Sequence, residues 1–91
     1  MRILILDDRP DRSGVLVTNL RADGFTVITF TSPQEALKHI HEADVLITDH
    51  HVHKMTGLEI ARQAYALGWR GSFLLMSGDL VENLQKLSEP S

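Results

Sequence analysis

Cysteine is absent from this chain. That removes disulfides, thiol nucleophiles and thiolate zinc sites together. No apolar run approaches the length that crosses a bilayer. Met1-Arg2 leads straight into a short apolar segment, without the pattern of a signal peptide. A cytoplasmic protein without a membrane partner is therefore expected. A basic excess is missing too. Nine Lys and Arg stand against twelve Asp and Glu, for a formal net charge of −3, and no basic stripe is visible. Direct binding of nucleic acid is not expected from such a surface. Internal repeats, low-complexity tracts and linkers are also lacking, so the 91 residues read as one domain over 1–91. With 43% hydrophobic and 23% charged residues, that domain has enough apolar material for a modest core.

Against this plain background three aspartates carry most of the information. Asp7 and Asp8 directly follow Ile3-Leu4-Ile5-Leu6, and Asp49 directly follows Val45-Leu46-Ile47-Thr48. Both runs are short, branched and continuous, as strands buried on both faces of a parallel sheet are. If the two strands are parallel neighbours, all three carboxylates meet at one edge, where open α/β sheets bind ligands. Their mutual repulsion is relieved by a shared proton or a cation. An all-oxygen set of this kind suits Mg²⁺, which takes one or two carboxylates, keeps some water and shares phosphate oxygens. A single Asp after a strand is commonly a turn or cap residue. A pair and a third, each ending an apolar run, are harder to explain that way.

The rest of the chain alternates strand and helix signals. Residues 2–7 read as a strand. Pro10 suits the first turn of a helix with the face Val15, Leu16, Asn19 and Leu20, stopped by Gly24. Phe25 to Phe30 reads as a second strand. Ser32-Pro33-Gln34-Glu35 has the form of a capping box, opening a short helix with Ala36, Leu37 and Ile40 on its apolar side. Asp44 to Asp49 is the third strand, and 50–57 a loop ended by Gly57. Leu58, Ala61, Ala64, Tyr65 and Leu67 suggest a third helix closed by Gly68. After a turn at Trp69-Arg70-Gly71, Ser72 to Met76 reads as a fourth strand, followed by Ser77-Gly78-Asp79. Leu80, Val81, Leu84 and Leu87 are spaced as a fourth helix. This βαβαβαβα order implies a parallel sheet with right-handed crossovers and helices on both faces.

Taken together, Ile3 to Asp8, Val45 to Asp49, Met55-Thr56-Gly57-Leu58-Glu59 and Leu74-Leu75-Met76-Ser77-Gly78 resemble the receiver domain of bacterial two-component response regulators. The resemblance implies a flavodoxin-like, doubly wound sheet of strand order 2-1-3-4. It also implies that Asp49 accepts a phosphoryl group from a sensor histidine kinase or a phosphotransfer protein. Asp8 matches the direct Mg²⁺ ligand, Asp7 the one that often acts through water, and the backbone carbonyl of His51 the remaining protein ligand. Ser77 matches the hydroxyl residue that contacts the phosphoryl group, and Gly78 the small residue whose N–H faces its oxygens. A carboxylate is a competent nucleophile for this transfer, which depends on positioning and charge neutralisation. The output would be contact with a downstream protein. Catalysis would extend at most to the domain's own phosphorylation and dephosphorylation, with His51 and Asp79 beside the path of hydrolytic water.

Two departures from the family pattern are visible. His53 stands where receivers usually have Pro. The family's fifth strand, its Lys and its fifth helix have no counterpart after the expected fourth helix, and Lys86 lies within that helix, so a C-terminally truncated receiver is expected. In the family's strand order the fourth strand then becomes an edge, and a homodimer through Phe73 to Met76 is expected. The missing Lys keeps an alternative open, a pseudo-receiver that signals by association alone. A haloacid-type phosphatase is disfavoured, because it needs an acid two residues past its nucleophile and His51 is there. His50, His51 and His53 could bind Zn²⁺ or Ni²⁺, but solvated loop residues are the simpler reading. His39 and His41 read as surface residues, Tyr65 and Trp69 as packing residues.

Overall fold

A computed structural model of the protein describes residues 1–76. In chain order the elements are β1 (Arg2–Leu6), α1 (Pro10–Ala22), β2 (Thr26–Phe30), α2 (Pro33–Lys38), β3 (Val45–Asp49), β4 (His51–Val52), β5 (Met55–Thr56), α3 (Gly57–Ala66) and β6 (Ser72–Met76), with a 3-10 turn at Ile40–Glu42. The four long strands form one sheet in the order β2-β1-β3-β6, and every neighbouring pair is parallel. This is the expected order 2-1-3-4, β6 being the expected fourth strand. The expected fourth helix, with Lys86, lies outside the described residues.

The continuous apolar runs serve two cores at once. Leu4, Leu6 and Leu46 face Ala36, Ile40, Ile60, Ala64 and Trp69 beneath α2 and α3. Ile3, Ile5 and Ile47 face the other way, where Leu16, Val17 and Leu20 of α1 cover them. A strand flanked by helices on both sides has no polar face to give away, which is why its sequence does not alternate. Trp69 closes the first core with its Nε1–H donating to the Ala43 carbonyl at 2.8 Å. Tyr65 stacks on it and donates its hydroxyl to the Gly71 carbonyl at 3.1 Å.

Several local expectations are corrected. Val15 is 73% exposed; the inward face of α1 is Ser13, Leu16, Val17 and Leu20. On α3 the buried residues are Gly57, Ile60, Ala61 and Ala64, while Leu58, Tyr65 and Leu67 are exposed. The capping box of α2 is not made: Ser32 Oγ bonds Gln34 Oε1, and Glu35 pairs with Lys38. The segment 50–57 is a small antiparallel hairpin of β4 and β5, and Gly57 opens α3 instead of ending a loop. The expected fourth strand, β6, is an edge of the sheet among the described residues, as expected, with Phe73, Leu74 and Leu75 half-buried and Met76 buried. Among the described residues no helix is long and apolar enough to cross a membrane.

Gly14 lies on the exposed side of α1, and a Cβ there would meet nothing within 4 Å. Gly14→Ala should therefore stabilise the protein by about 0.5–1 kcal/mol through helix propensity and a less flexible unfolded chain. A denaturant midpoint that does not rise would contradict this.

Candidate functional site

The strand register builds the site. Leu6 of β1 pairs with Thr48 of β3, so the next residues, Asp7 just past β1 and Asp49 at the end of β3, stand side by side at the carboxyl edge of the sheet. Asp7 is only 3% exposed. Its N–H donates to the Phe30 carbonyl at 3.0 Å, and its Oδ1 accepts from the Arg9 N–H at 2.9 Å. That second bond forms a tight local turn which swings the chain from β1 into α1. Asp8 is exposed and Asp49 half-buried, and Asp49 Oδ1 accepts from the His50 N–H at 2.9 Å. One oxygen from each of Asp7, Asp8 and Asp49 can be chosen so that all lie within 4.8 Å of one another.

Asp7 Oδ2 is buried with no hydrogen-bond partner among the described residues. A buried, unpaired carboxylate oxygen beside two further carboxylates is costly. A hard cation supplies what it lacks, and three carboxylate oxygens are the donor type that Mg²⁺ prefers. The residues present thus fit that ion. Asp7→Asn should keep the bond from the Arg9 N–H and place an amide donor among the remaining carboxylates. Without added metal it should raise Tm by several degrees, while the stabilisation by Mg²⁺ expected of the wild type should shrink. A lower Tm for this variant in chelator would oppose that expectation.

Asp49 is also fixed from below. Gly57 donates its N–H to the His50 carbonyl at 2.8 Å, and an added Cβ on Gly57 would lie 2.6 Å from the Asp49 carbonyl oxygen. Only glycine allows α3 to begin so close to the end of β3. Thr56 caps that helix, accepting from the Glu59 N–H at 3.1 Å.

An open cleft of about 320 Å³ lies over Asp49, lined by Asp8, Arg9, Asp49, His50 and His51. The imidazoles line the cleft but do not join the metal-competent cluster, which among the described residues is Asp7, Asp8 and Asp49. His53 is turned elsewhere: its Nε2 lies 3.0 Å from the Thr31 carbonyl, and its φ is 57°. His39 stacks on Phe30 and contacts Glu42, away from the site. Ser77, Gly78 and Asp79 lie outside the described residues. Arg9 is a site residue that the sequence patterns above do not single out. A signal for it exists: it occupies the position before Pro10 where a capping side chain is preferred.

The fold and this cleft define a doubly wound α/β domain with an acidic pocket at the carboxyl ends of its strands. Residues 3–85 match the family model of the response regulator receiver domain, and the chain belongs to that family. It is thus a receiver domain of two-component response regulators. Receivers generally bind Mg²⁺ in their acidic pocket and interact with histidine kinases or phosphotransfer proteins. Among solved structures, a response regulator receiver domain protein from Clostridium thermocellum shares 27% identity, covering 94% of this chain and 73% of its own, with a TM-score of 0.74. The receiver domain of the hybrid histidine kinase CckA shares 23% identity over 96% of this chain and 95% of its own, with a TM-score of 0.71. The MaeR response regulator, solved bound to beryllium trifluoride, shares 16% identity over 100% of this chain and 81% of its own, with a TM-score of 0.75. The last two likenesses speak to the fold alone. No curated protein matches the sequence significantly.

Proposed function

We propose that the 1–91 chain is a receiver domain that takes a phosphoryl group onto Asp49. The donor is a phosphohistidine on a sensor histidine kinase or phosphotransfer protein, and the response is read by a downstream protein. The observation that carries this reading is the set of three carboxylates within 4.8 Å, with the buried Asp7 Oδ2 lacking a partner among the described residues. Asp7, Asp8, Asp49 and the His51 backbone carbonyl would hold Mg²⁺, which when bound neutralises charge on the phosphoryl oxygens.

The rest of the chemistry belongs to the chain. A carboxylate oxygen of Asp49 forms a bond to phosphorus as the phosphorus–nitrogen bond of the donor breaks, and its electron pair leaves with the imidazole. The His50 N–H orients the acceptor by holding Oδ1, and Gly57 sets the height of its backbone. Ser77 and Gly78 would receive the remaining phosphoryl oxygens. Incubation with a small phosphodonor and Mg²⁺, read by intact mass, tests the proposal. One added phosphoryl group is expected, and no gain would favour the pseudo-receiver.

A further inference from the structure

We propose that Arg9 is a phosphoryl-binding residue, a guanidinium placed at the mouth of the cleft to hold the oxygens of a phosphoryl group on Asp49. The inference rests on Asp49 being the acceptor. Its starting point is a residue that fits its local position badly. Arg9 stands at the N-cap of α1 and makes no side-chain capping bond. Ser, Asn, Asp or Thr is preferred there, because its oxygen satisfies a free backbone N–H. A cation is also disfavoured at the positive end of a helix. Two local rules are broken at one residue, and that residue lines the cleft with Asp8 and Asp49. Such conflicts concentrate where a side chain is kept for another task.

The backbone of Arg9 is well placed for that task. Its N–H is bound to Asp7 Oδ1 at 2.9 Å, so the position from which its side chain springs is tied to one of the carboxylates of the acidic cluster. The guanidinium takes no part in the salt bridges found among the described residues. A merely solvated arginine would account for the exposure but not for the loss of a cap. Arginine presents parallel N–H donors in a rigid plane, which suits two oxygens of one phosphoryl group. Its charge has a distinctive consequence. It attracts the anion on Asp49 and repels a cation in the same pocket. A residue that only supported the pocket would affect both ligands in the same direction.

The test uses beryllium trifluoride as the phosphoryl mimic, followed by ¹⁹F NMR, with Mg²⁺ affinity measured separately by calorimetry. Arg9→Ser supplies a better cap and should raise the Tm of the metal-free protein by a few degrees. It should nevertheless weaken beryllium trifluoride binding roughly tenfold at saturating Mg²⁺. Mg²⁺ should bind no more weakly, and about twofold more tightly at low salt. Arg9→Lys, which keeps charge without the planar fork, should fall between the two proteins. The inference is overturned if Arg9→Ser binds the mimic as the wild type does. It is equally overturned if the mimic and Mg²⁺ weaken in parallel, which would mark a structural role. If the wild type itself binds no mimic with Mg²⁺ present, Asp49 is not an acceptor, and both readings fall.

Discussion

Asp49→Asn should show no phosphoryl mass gain under conditions in which the wild type gains one group. The amide keeps the shape of the side chain and an oxygen to accept the His50 N–H at its present 2.9 Å, so the fold should survive. What it lacks is the anionic oxygen that the proposed transfer to Asp49 requires. Removing one of three clustered charges should also leave the metal-free variant at least as stable as the wild type. Asp8→Ala is the informative companion. It should label slowly and regain part of its rate at high Mg²⁺, because under the proposed function it weakens the ion site and leaves the nucleophile. Intact mass over time separates the two. Labelling of Asp49→Asn at the wild-type rate would move the acceptor elsewhere.

The second large effect comes from a single carbon. Gly57→Ala should destabilise the protein by roughly 1–3 kcal/mol, about 4–8 °C of Tm for each kcal/mol in a domain of this size. Alanine is the better helix former by about 1 kcal/mol, and in α1 that preference should win at Gly14. At Gly57 the added Cβ would sit 2.6 Å from the Asp49 carbonyl oxygen and 2.6 Å from Leu75 Cδ2. The leucine methyl can turn aside. The carbonyl belongs to the end of β3 and can move only by carrying Asp49 with it. Phosphoryl uptake should therefore fall further than stability explains, since displacements near 1 Å can cost about a hundredfold in rate. Thermal unfolding and mass labelling on the same sample check both parts. Wild-type Tm together with wild-type uptake would show that the helix start yields freely.

The strands are the legible part of the sequence. Ile3 to Leu6 and Val45 to Thr48 are continuous because helices cover both sides, whereas a strand with one wet face would alternate. The convergence of Asp7, Asp8 and Asp49 follows from strand order and register. The helix faces are harder to read. In α1 and α3 the true inward positions run at i, i+3, i+4 and i+7 from a small residue, Ser13 in one and Gly57 in the other. Counting large apolar side chains points instead to Val15, Leu58 and Leu67, which are exposed. Close packing of a helix on a sheet favours small residues at the contact, and hydrophobicity does not report size. The hairpin of β4 and β5 is invisible for another reason. Two-residue strands carry no periodicity, so His51 to Thr56 reads as a loop. Ser32 misleads because a capping motif states what a side chain can bond, and here its hydroxyl bonds Gln34 instead.

The bend at His53 gives that position a value as a shape marker. Its φ of 57° lies in a region closed to proline, whose ring fixes φ near −65°. Receivers usually carry Pro here, so the two residues are not alternatives within one path of the chain. They call for different paths between β3 and α3. In this protein the ring of His53 bridges to Thr31, joining the loop after β3 to the loop after β2. Grafting Pro into position 53 would therefore do more than exchange one side chain for another. It would cut a tie between two loops and require the hairpin to be threaded anew.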